Sequence, residues 1–473
     1  LSIRKKRVLI VGAGLAGGIV AEVLKQKEDS DLEPIAFVDD DPAKQNTVIH
    51  DLLVLGNRQN IINIVEKLNI EHIIIAMPSA PGEEISKIVD ICQKTKIQIK
   101  ILPAIYDLIT GKIKVSDLRD VEIEDLLGRP AALLNINEIA GYLRNQVILI
   151  TGAGGSIGSE ICRQVALLRP RLIILLGHGE NSIYEIEQEL KTKFSNIPII
   201  SIIADIRDYH RINEIFTMYH PTVVFHAAAH KHVSFMEKNK AEAIKNNVLG
   251  TKILAEAASL NNTKIFILIS TDKAVNPTSI MGATKKIAEM ILQGMNETSP
   301  TKFTAVRFGN VLGSRGSVIP LFKKQIALGG PVTVTHPDMK RYFMTISEAV
   351  QLVIQAGALA QGGEIFVLDM GKPIYIVELA KKLISLSGFE PDKDIAINYT
   401  GIRPGEKYVE ALYSDQEQVL PTKHERIFKV TPQQVNFTEL NNIIEILDKN
   451  EFTYSEQEIS KFLINFAGLK QDL

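Results

Sequence analysis

Val147-Ile148-Leu149-Ile150-Thr151-Gly152-Ala153-Gly154-Gly155-Ser156-Ile157-Gly158 is the stretch on which the fold turns. Four consecutive apolar residues suit a strand buried on both faces of a parallel sheet. The glycines after them suit a tight turn into a helix whose first N–H groups can face a pyrophosphate. Gly152, Gly155, Ser156, Ile157 and Gly158 are therefore candidates for holding a dinucleotide. Downstream, Leu172 to Leu176, Ile199 to Ala204 and Val223 to His226 read as strands at βαβ intervals, the order of a doubly wound sheet.

Upstream, a smaller unit of the same kind is expected. Arg7 to Val11 reads as a strand, Gly12-Ala13-Gly14-Leu15-Ala16-Gly17 as its turn, and Asp39 ends a second strand where a ribose hydroxyl would be held. The loop either binds a nucleotide or serves only the turn and close helix packing. Ile73 to Met77 and Ile97 to Leu102 read as further buried strands, each stopped by proline. From Tyr106 to about Arg144 the pattern turns charged and irregular, with Gly128-Arg129-Pro130 as punctuation. The expected architecture is α/β, with two Rossmann-like doubly wound parallel sheets and a smaller C-terminal substrate-binding lobe on the second. Residues 1–125 form the first domain, 126–145 a linker and 146–473 the catalytic domain, its lobe drawn mainly from 310–430.

At 473 residues, 45% hydrophobic and 23% charged, the chain is long enough for two or three domains. A formal charge of −2 gives no basic field for nucleic acid, so none is expected as a partner. Cys92 and Cys162 suggest neither a zinc site nor a disulfide framework, which fits a reducing cytosol. Arg4-Lys5-Lys6-Arg7 reads either as a solvated lead-in to a strand or as a cytoplasmic juxtamembrane cluster.

Chemistry enters with the strand Ile265 to Ser270, which delivers Thr271-Asp272-Lys273 at its carboxyl end, where a doubly wound fold places its ligand. On the helix that follows, Met281 and Lys285 lie four apart and so share a face. The spacing T-G-x-x-G-x-x-G resembles the extended short-chain dehydrogenase/reductase family, whose usual Tyr-x-x-x-Lys pair is here Met281 to Lys285. A thioether cannot transfer a proton, but the adjacent Asp272-Lys273 offers an acid and a base.

The stretch Ser270 to Pro277 through Met281 to Lys285 resembles the membrane-anchored nucleotide-sugar 4,6-dehydratases, the CapD-like polysaccharide biosynthesis proteins. So do His226-Ala227-Ala228-Ala229-His230-Lys231-His232, Arg307 to Ser317, and Arg403-Pro404-Gly405-Glu406-Lys407. The resemblance implies C4 oxidation of UDP-N-acetylglucosamine, loss of water across C5 and C6, and return of the same hydride to C6; one base can return the C5 proton to either face, and methionine at the tyrosine position, as in the long membrane-anchored members, points to retention. Asp272 is then the acid at C6, Lys273 the base at C5 and Thr271 a relay for the C4 hydroxyl proton, beside Met281. Asp205, Ile206, Ala227, Ala228 and Lys285 join the glycine loop as cofactor residues. Asn310, Arg315, Arg341, Arg403 and Glu406 hold the UDP-sugar, a task suited to guanidinium forks and amides. His230 and His232 belong to no metal pattern and read as structural.

NAD rather than NADP is expected, since Gly177-His178-Gly179-Glu180-Asn181 offers no cation for a 2′-phosphate. The resemblance further implies a homo-oligomer at the cytoplasmic face of the cell membrane, anchored through a segment before Leu1, with the present chain itself soluble. The helices expected over Leu440 to Leu447 and Ile459 to Phe466 carry no functional signal. A sugar-nucleotide epimerase or dehydrogenase, and a non-catalytic dinucleotide sensor, are the competing readings.

Overall fold

The computed structural model describes residues 4–26, 31–102, 118–127, 134–431, 436–449 and 456–468. The chain divides into two compact units, Leu1–Ala131 with Lys381–Asp394, and Ala132–Ala380 with Ile395–Leu473.

In the first unit, strand β1 (Lys6–Val11) runs into helix α1 (Leu15–Gln26), followed by β2 (Leu32–Val38), β3 (His72–Ile75), β4 (Gln98–Ile101) and β5 (Arg119–Asp120). The sheet order is β2-β1-β3-β4-β5, parallel except for β5. Pro34, which has no N–H to give a ladder, sits on the edge strand β2, and the register slips beside it between Val8 and Leu9.

The second unit opens with helix α2 (Ile136–Leu143) and strand β6 (Val147–Thr151), then α3 (Ser156–Ala166), β7 (Leu172–Gly177), β8 (Ile199–Ile203) and β9 (Val223–His226). It continues through α4 (Gly250–Leu260), β10 (Ile265–Ile269), α5 (Ile280–Asn296) and β11 (Lys302–Arg307). Helix α6 (Ile346–Leu359), strands β12 (Ile365–Leu368), β13 (Val419–Pro421) and β14 (Ile427–Val430), and helices α7 (Phe437–Lys449) and α8 (Glu456–Ala467) complete it.

The nine-stranded sheet has the order β8-β7-β6-β9-β10-β11-β12-β14-β13, parallel through β12 and antiparallel beyond. Strand order reverses at β6, and its neighbours β7 and β9 part there to leave a crevice at their carboxyl ends. Alternate residues feed the two faces: Ile148 and Ile150 pack with α2, α3 and α6, while Val147 and Leu149 pack with α4 and part of α5. The outer face of α5 is closed by Leu440, Ile444, Ile459 and Leu463 of the last two helices. Those helices therefore support the helix that bears Met281 and Lys285.

The division between the two units falls within the span 126–145 expected as a linker, while its expected irregular character and the extent of the lobe need correction. The span 126–145 is largely helical where described: Leu126 is buried near the end of Ile123–Leu127, and α2 is capped by Asn135, whose side chain accepts from the Glu138 N–H at 3.2 Å. Its charged sequence concealed two buried anchors, Ile139 and Leu143. Gly128-Arg129-Pro130 and Tyr106 lie outside the described residues. The span 310–430 is not a separate lobe throughout, because β12, β13 and β14 extend the main sheet. What stands apart are short strand pairs, among them Asn310–Val311 with Phe343–Met344 and Val332–Val334 with Ile397–Tyr399. Among the described residues no helix is long and apolar enough to cross a membrane.

Phe266 on β10 is fully buried, with its ring 5.5 Å from that of Phe303 and 5.9 Å from that of His226. Phe266→Ala is expected to cost about 3–5 kcal/mol, the range for emptying such a site. Urea denaturation followed by circular dichroism would show this as a lower midpoint with an unchanged slope.

Candidate active site

The carboxyl ends of β6, β9, β10 and β11 surround a cavity of about 580 Å³. A smaller one of about 200 Å³ shares Gly155, Ala227, Ala229 and His230 with it, so the two form one groove over the point where strand order reverses. Gly152 sits at φ +65°, where a Cβ would stand 2.8 Å from the Ala227 carbonyl carbon, and a Cβ on Gly158 would run into the Gly152 carbonyl oxygen. Only glycine allows this turn and this approach of helix to strand. Gly155 caps α3 in extended conformation, and Gly155, Ser156, Ile157 and Gly158 line the larger cavity at the positive end of the helix. Gly152, Ala227 and Ala228 line the smaller one.

Asp205 departs from expectation. Its carboxylate grips Arg207 with both oxygens, at 2.7 Å from one terminal nitrogen, which holds its pKa below the usual range; Ile206 and Ala204 line the groove in its place. Arg207, missed in the sequence, gives its remaining terminal nitrogen to Glu242 at 2.8 Å, so two carboxylates already meet its charge.

Strand β10 ends at Ile269 and the chain turns through Thr271, whose hydroxyl caps a 3₁₀ turn spanning Asp272–Ala274. Lys273 Nζ donates to Asp272 Oδ1 at 2.9 Å and to Asn310 Oδ1 at 3.1 Å, while Thr271 Oγ1 donates to the same Asp272 Oδ1 at 2.9 Å. Lys273, Thr271, Met281, Lys285 and Asn310 all line the cavity. Asp272 does not: it is fully buried behind them, its amide bonded to the Phe308 carbonyl and its Oδ2 without a partner beside Gly309. Of Asp272 and Lys273, expected as acid and base, only Lys273 therefore lines the cavity, because the turn points adjacent side chains in different directions.

Helix α5 starts at Ser279, whose hydroxyl accepts from the Gly282 N–H at 3.1 Å. A Cβ on Gly282 would strike the Lys273 carbonyl oxygen, so this glycine lets α5 close on the Thr271–Lys273 turn. Burial brings the Lys285 pKa down to about 8, against the opposing pull of the Glu289 charge. Asn247, inside a π-helical turn, donates to the His230 carbonyl at 3.0 Å and to Thr284 Oγ1 at 3.1 Å, tying the alanine loop to α5.

The expected substrate residues scatter. Arg315 bends to the glycine loop, its side chain donating to the Gly154 carbonyl at 3.2 Å and its amide to Ser156 Oγ at 3.1 Å, so it stands over the dinucleotide side of the groove. Arg341 is buried, and one terminal nitrogen donates to the carbonyls of Lys340, Lys407 and Tyr408, which makes it a brace for the lobe rather than a cavity residue. Arg403 is exposed, and Glu406 closes a turn with it. That turn docks through Gly405, whose carbonyl accepts from Thr278 Oγ1 at 3.1 Å, and neither Arg403 nor Glu406 lines the cavity. Conversely His230, Lys231 and His232, of which the two histidines read as structural, do line it, and burial lowers the pKa of all three. Their run of polar residues after a buried strand was the available signal.

In the first unit Asp39 turns its carboxylate onto the glycine loop, accepting from the Ala13 N–H at 2.7 Å and from Lys44 Nζ at 3.2 Å, rather than presenting it free for a ribose.

The model of the family described as "Polysaccharide biosynthesis protein" matches residues 148–432, and that of a "CoA-binding domain" matches residues 2–103. The capsular polysaccharide biosynthesis protein CapD of Staphylococcus aureus is 50% identical over 463 residues, 97% of this chain and 77% of that protein. The probable polysaccharide biosynthesis protein EpsC of Bacillus subtilis is 52% identical over 433 residues, 89% and 72% of the two chains. Among solved structures, Pen from Bacillus thuringiensis is 33% identical with a TM-score of 0.57, covering 65% of this chain and 99% of its own. The match runs through the glycine loop, the Thr271–Lys273 turn and the strands that carry them, and the chain belongs to the CapD-like polysaccharide biosynthesis protein family.

Proposed function

We propose that this protein is a nucleotide-sugar 4,6-dehydratase that converts UDP-N-acetylglucosamine to the 4-keto-6-deoxy sugar nucleotide, with NAD bound as internal hydride carrier. The observation that carries this is the shared Asp272 Oδ1, to which the Thr271 hydroxyl and Lys273 Nζ both donate from the cavity wall, with Met281 where a proton-transferring tyrosine would stand.

The groove fits a dinucleotide: glycines stand where a Cβ would block approach, a helix N-terminus faces the cavity, and Lys285 supplies a partly desolvated cation. Gly152, Gly155, Ser156, Ile157 and Gly158, with Ile206, Ala227, Ala228 and Lys285, would hold it. Arg207 being committed to two carboxylates favours NAD over its 2′-phosphorylated form. When bound, the cofactor accepts hydride from C4 and gives it back at C6.

Proton balance then assigns the side chains. One proton leaves O4 and one leaves C5; one departs with O6 as water and one returns to C5, so the O4 proton equals the one that O6 needs. As Thr271 Oγ1 takes the proton of O4 it can pass its own to Asp272 Oδ1, loading the acid used at C6. Lys273, acting from its amine form, receives the C5 proton on Nζ and restores it. The proton held on Asp272 Oδ1 then returns through the Thr271 hydroxyl, which lines the cavity, to O6 as it departs as water.

Purified protein incubated with UDP-N-acetylglucosamine in heavy water should give the 4-keto-6-deoxy product with solvent deuterium at C5, carry a C4 deuterium to C6, and consume no added NAD. A C4 epimer or stoichiometric reduction of NAD would replace this reading with an epimerase or a dehydrogenase. Lys273→Met should lower turnover by more than about 10²-fold and let reduced nicotinamide accumulate, since C4 oxidation does not need that amine. Asp272→Asn should be as slow without such accumulation, having lost the acceptor of the O4 proton; reduced nicotinamide building up in that variant would break the proposed relay.

Arg315→Ala should weaken dinucleotide binding several-fold, roughly 1 kcal/mol for an exposed contact, with little change in sugar KM. A fluorescence titration with NAD separates the two, and a shift in sugar KM alone would return Arg315 to the substrate.

We infer further that the chain works at the cytoplasmic membrane face, which the run Arg4 to Arg7 supports because anionic headgroups attract such clusters. Sedimentation with phosphatidylglycerol vesicles should be lost when these four residues become glutamine, and unchanged sedimentation would refute the role.

A further inference from the structure

Glu289 lies on α5 one turn beyond Lys285 and is 2% exposed. Its Oε1 accepts from Ser270 Oγ at 2.5 Å and from Arg307 Nε at 2.9 Å, and its Oε2 from a terminal nitrogen of Arg307 at 2.7 Å. The other terminal nitrogen of Arg307 reaches Glu417 Oε1 at 2.8 Å. Ser270 lines the cavity and directly precedes Thr271-Asp272-Lys273, while Arg307 ends β11 just before Gly309 and Asn310. One carboxylate therefore joins the three segments that bear the proposed catalytic groups: the end of β10, the end of β11 and helix α5. Apolar residues of similar volume would pack a core at no greater cost than a buried ion pair, so stability alone does not call for this cluster.

We propose that Glu289 is a positioning residue of the reaction, holding the Thr271–Lys273 turn and Asn310 in register with Lys285 through Ser270 and Arg307. This rests on the dehydratase reading. Its charge has a second consequence, since burial lowers Lys285 to about 8 and Glu289 opposes that fall. Around Lys285 the other titratable groups are His226, which burial keeps neutral, and Lys273, His230, Lys231 and His232 along the cavity. On the far side Glu289 faces Lys286, Glu417 and Glu439 across a separate polar cavity of about 240 Å³. With glutamine at 289 the opposing charge is gone, so Lys285 loses its proton at lower pH.

The test compares Glu289→Gln with Glu417→Gln in the full chain, the latter loosening the same arginine from its other side while the Glu289 bonds to Ser270 and Arg307 stay in place. Glu289→Gln should lower kcat by about tenfold or more, and should move the alkaline fall of NAD affinity to lower pH by about half a unit. Glu417→Gln should leave the pH of that fall in place and cost kcat far less at matched thermal stability. Equal losses in both variants, or a wild-type pH profile in Glu289→Gln, would overturn the proposal. Should Glu289→Gln not fold, Glu289→Asp retains the charge while withdrawing it by one methylene, and is expected to lose kcat with the pH profile kept; native kcat there would count against positioning. If wild-type protein makes no 4-keto-6-deoxy product, the dehydratase reading fails, while the NAD-affinity profile still decides whether Glu289 acts on Lys285.

Discussion

The close passage of Gly158 over the Gly152 carbonyl is the constraint from which the groove follows. A side chain at Gly158 would lift α3 off β6, and one at Gly152 would strike the Ala227–Ala228 backbone, so the helix N-terminus would no longer open into the space where β7 and β9 diverge. Because strand order reverses at β6, the crevice lies at the carboxyl ends of the strands, where the segments after β6, β9, β10 and β11 line its rim. The deeply buried apolar strands beneath make that rim rigid.

On this rim a second packing constraint operates. Helix α5 can bring Met281 and Lys285 to the cavity only because Gly282 lets its first turn rest on the Lys273 carbonyl. The same contact fixes where the Asp272–Ala274 turn stops, leaving Lys273 at the cavity and Asp272 behind it. The last two helices, which carry no chemical group at the site, matter by burying the outer face of α5. The convergence of Thr271 Oγ1 and Lys273 Nζ on one Asp272 oxygen is thus tied to backbone geometry, since the tight turn buries Asp272 between two neighbours that reach the cavity.

The first unit repeats the strand, glycine loop and helix, yet its aspartate serves the loop itself. Asp39 satisfies the Ala13 N–H, one of the amides that a bound phosphate would otherwise meet. Similar motifs therefore have different local surroundings: the first unit turns Asp39 onto its glycine loop, whereas the corresponding segment of the second reads Gly177-His178-Gly179, with no aspartate.

Much of the fold was legible in local patterns, since periodicity and glycine spacing report directly on strand, turn and helix. The strands from Val147 to Ile269 fall within a residue of their expected limits because short apolar runs bounded by polar, small or turn residues admit little else. The amphipathic α2 hid in a charged stretch, where two buried residues per turn pair are a weak signal. Residue types at the site were legible too: Thr271, Lys273, Met281, Lys285 and Asn310 converge as a turn and a helix face require. Direction was not. Whether Asp272 faces the cavity, whether Arg315 serves sugar or dinucleotide, and whether Arg341 is free or committed to carbonyls depend on contacts more than 60 residues apart in several cases. By itself the sequence determined which backbone segments form and which chemical groups they carry, because those follow from neighbours along the chain; tertiary structure alone decided which groups face the same space, because burial and hydrogen-bond partners come from segments that meet only on folding.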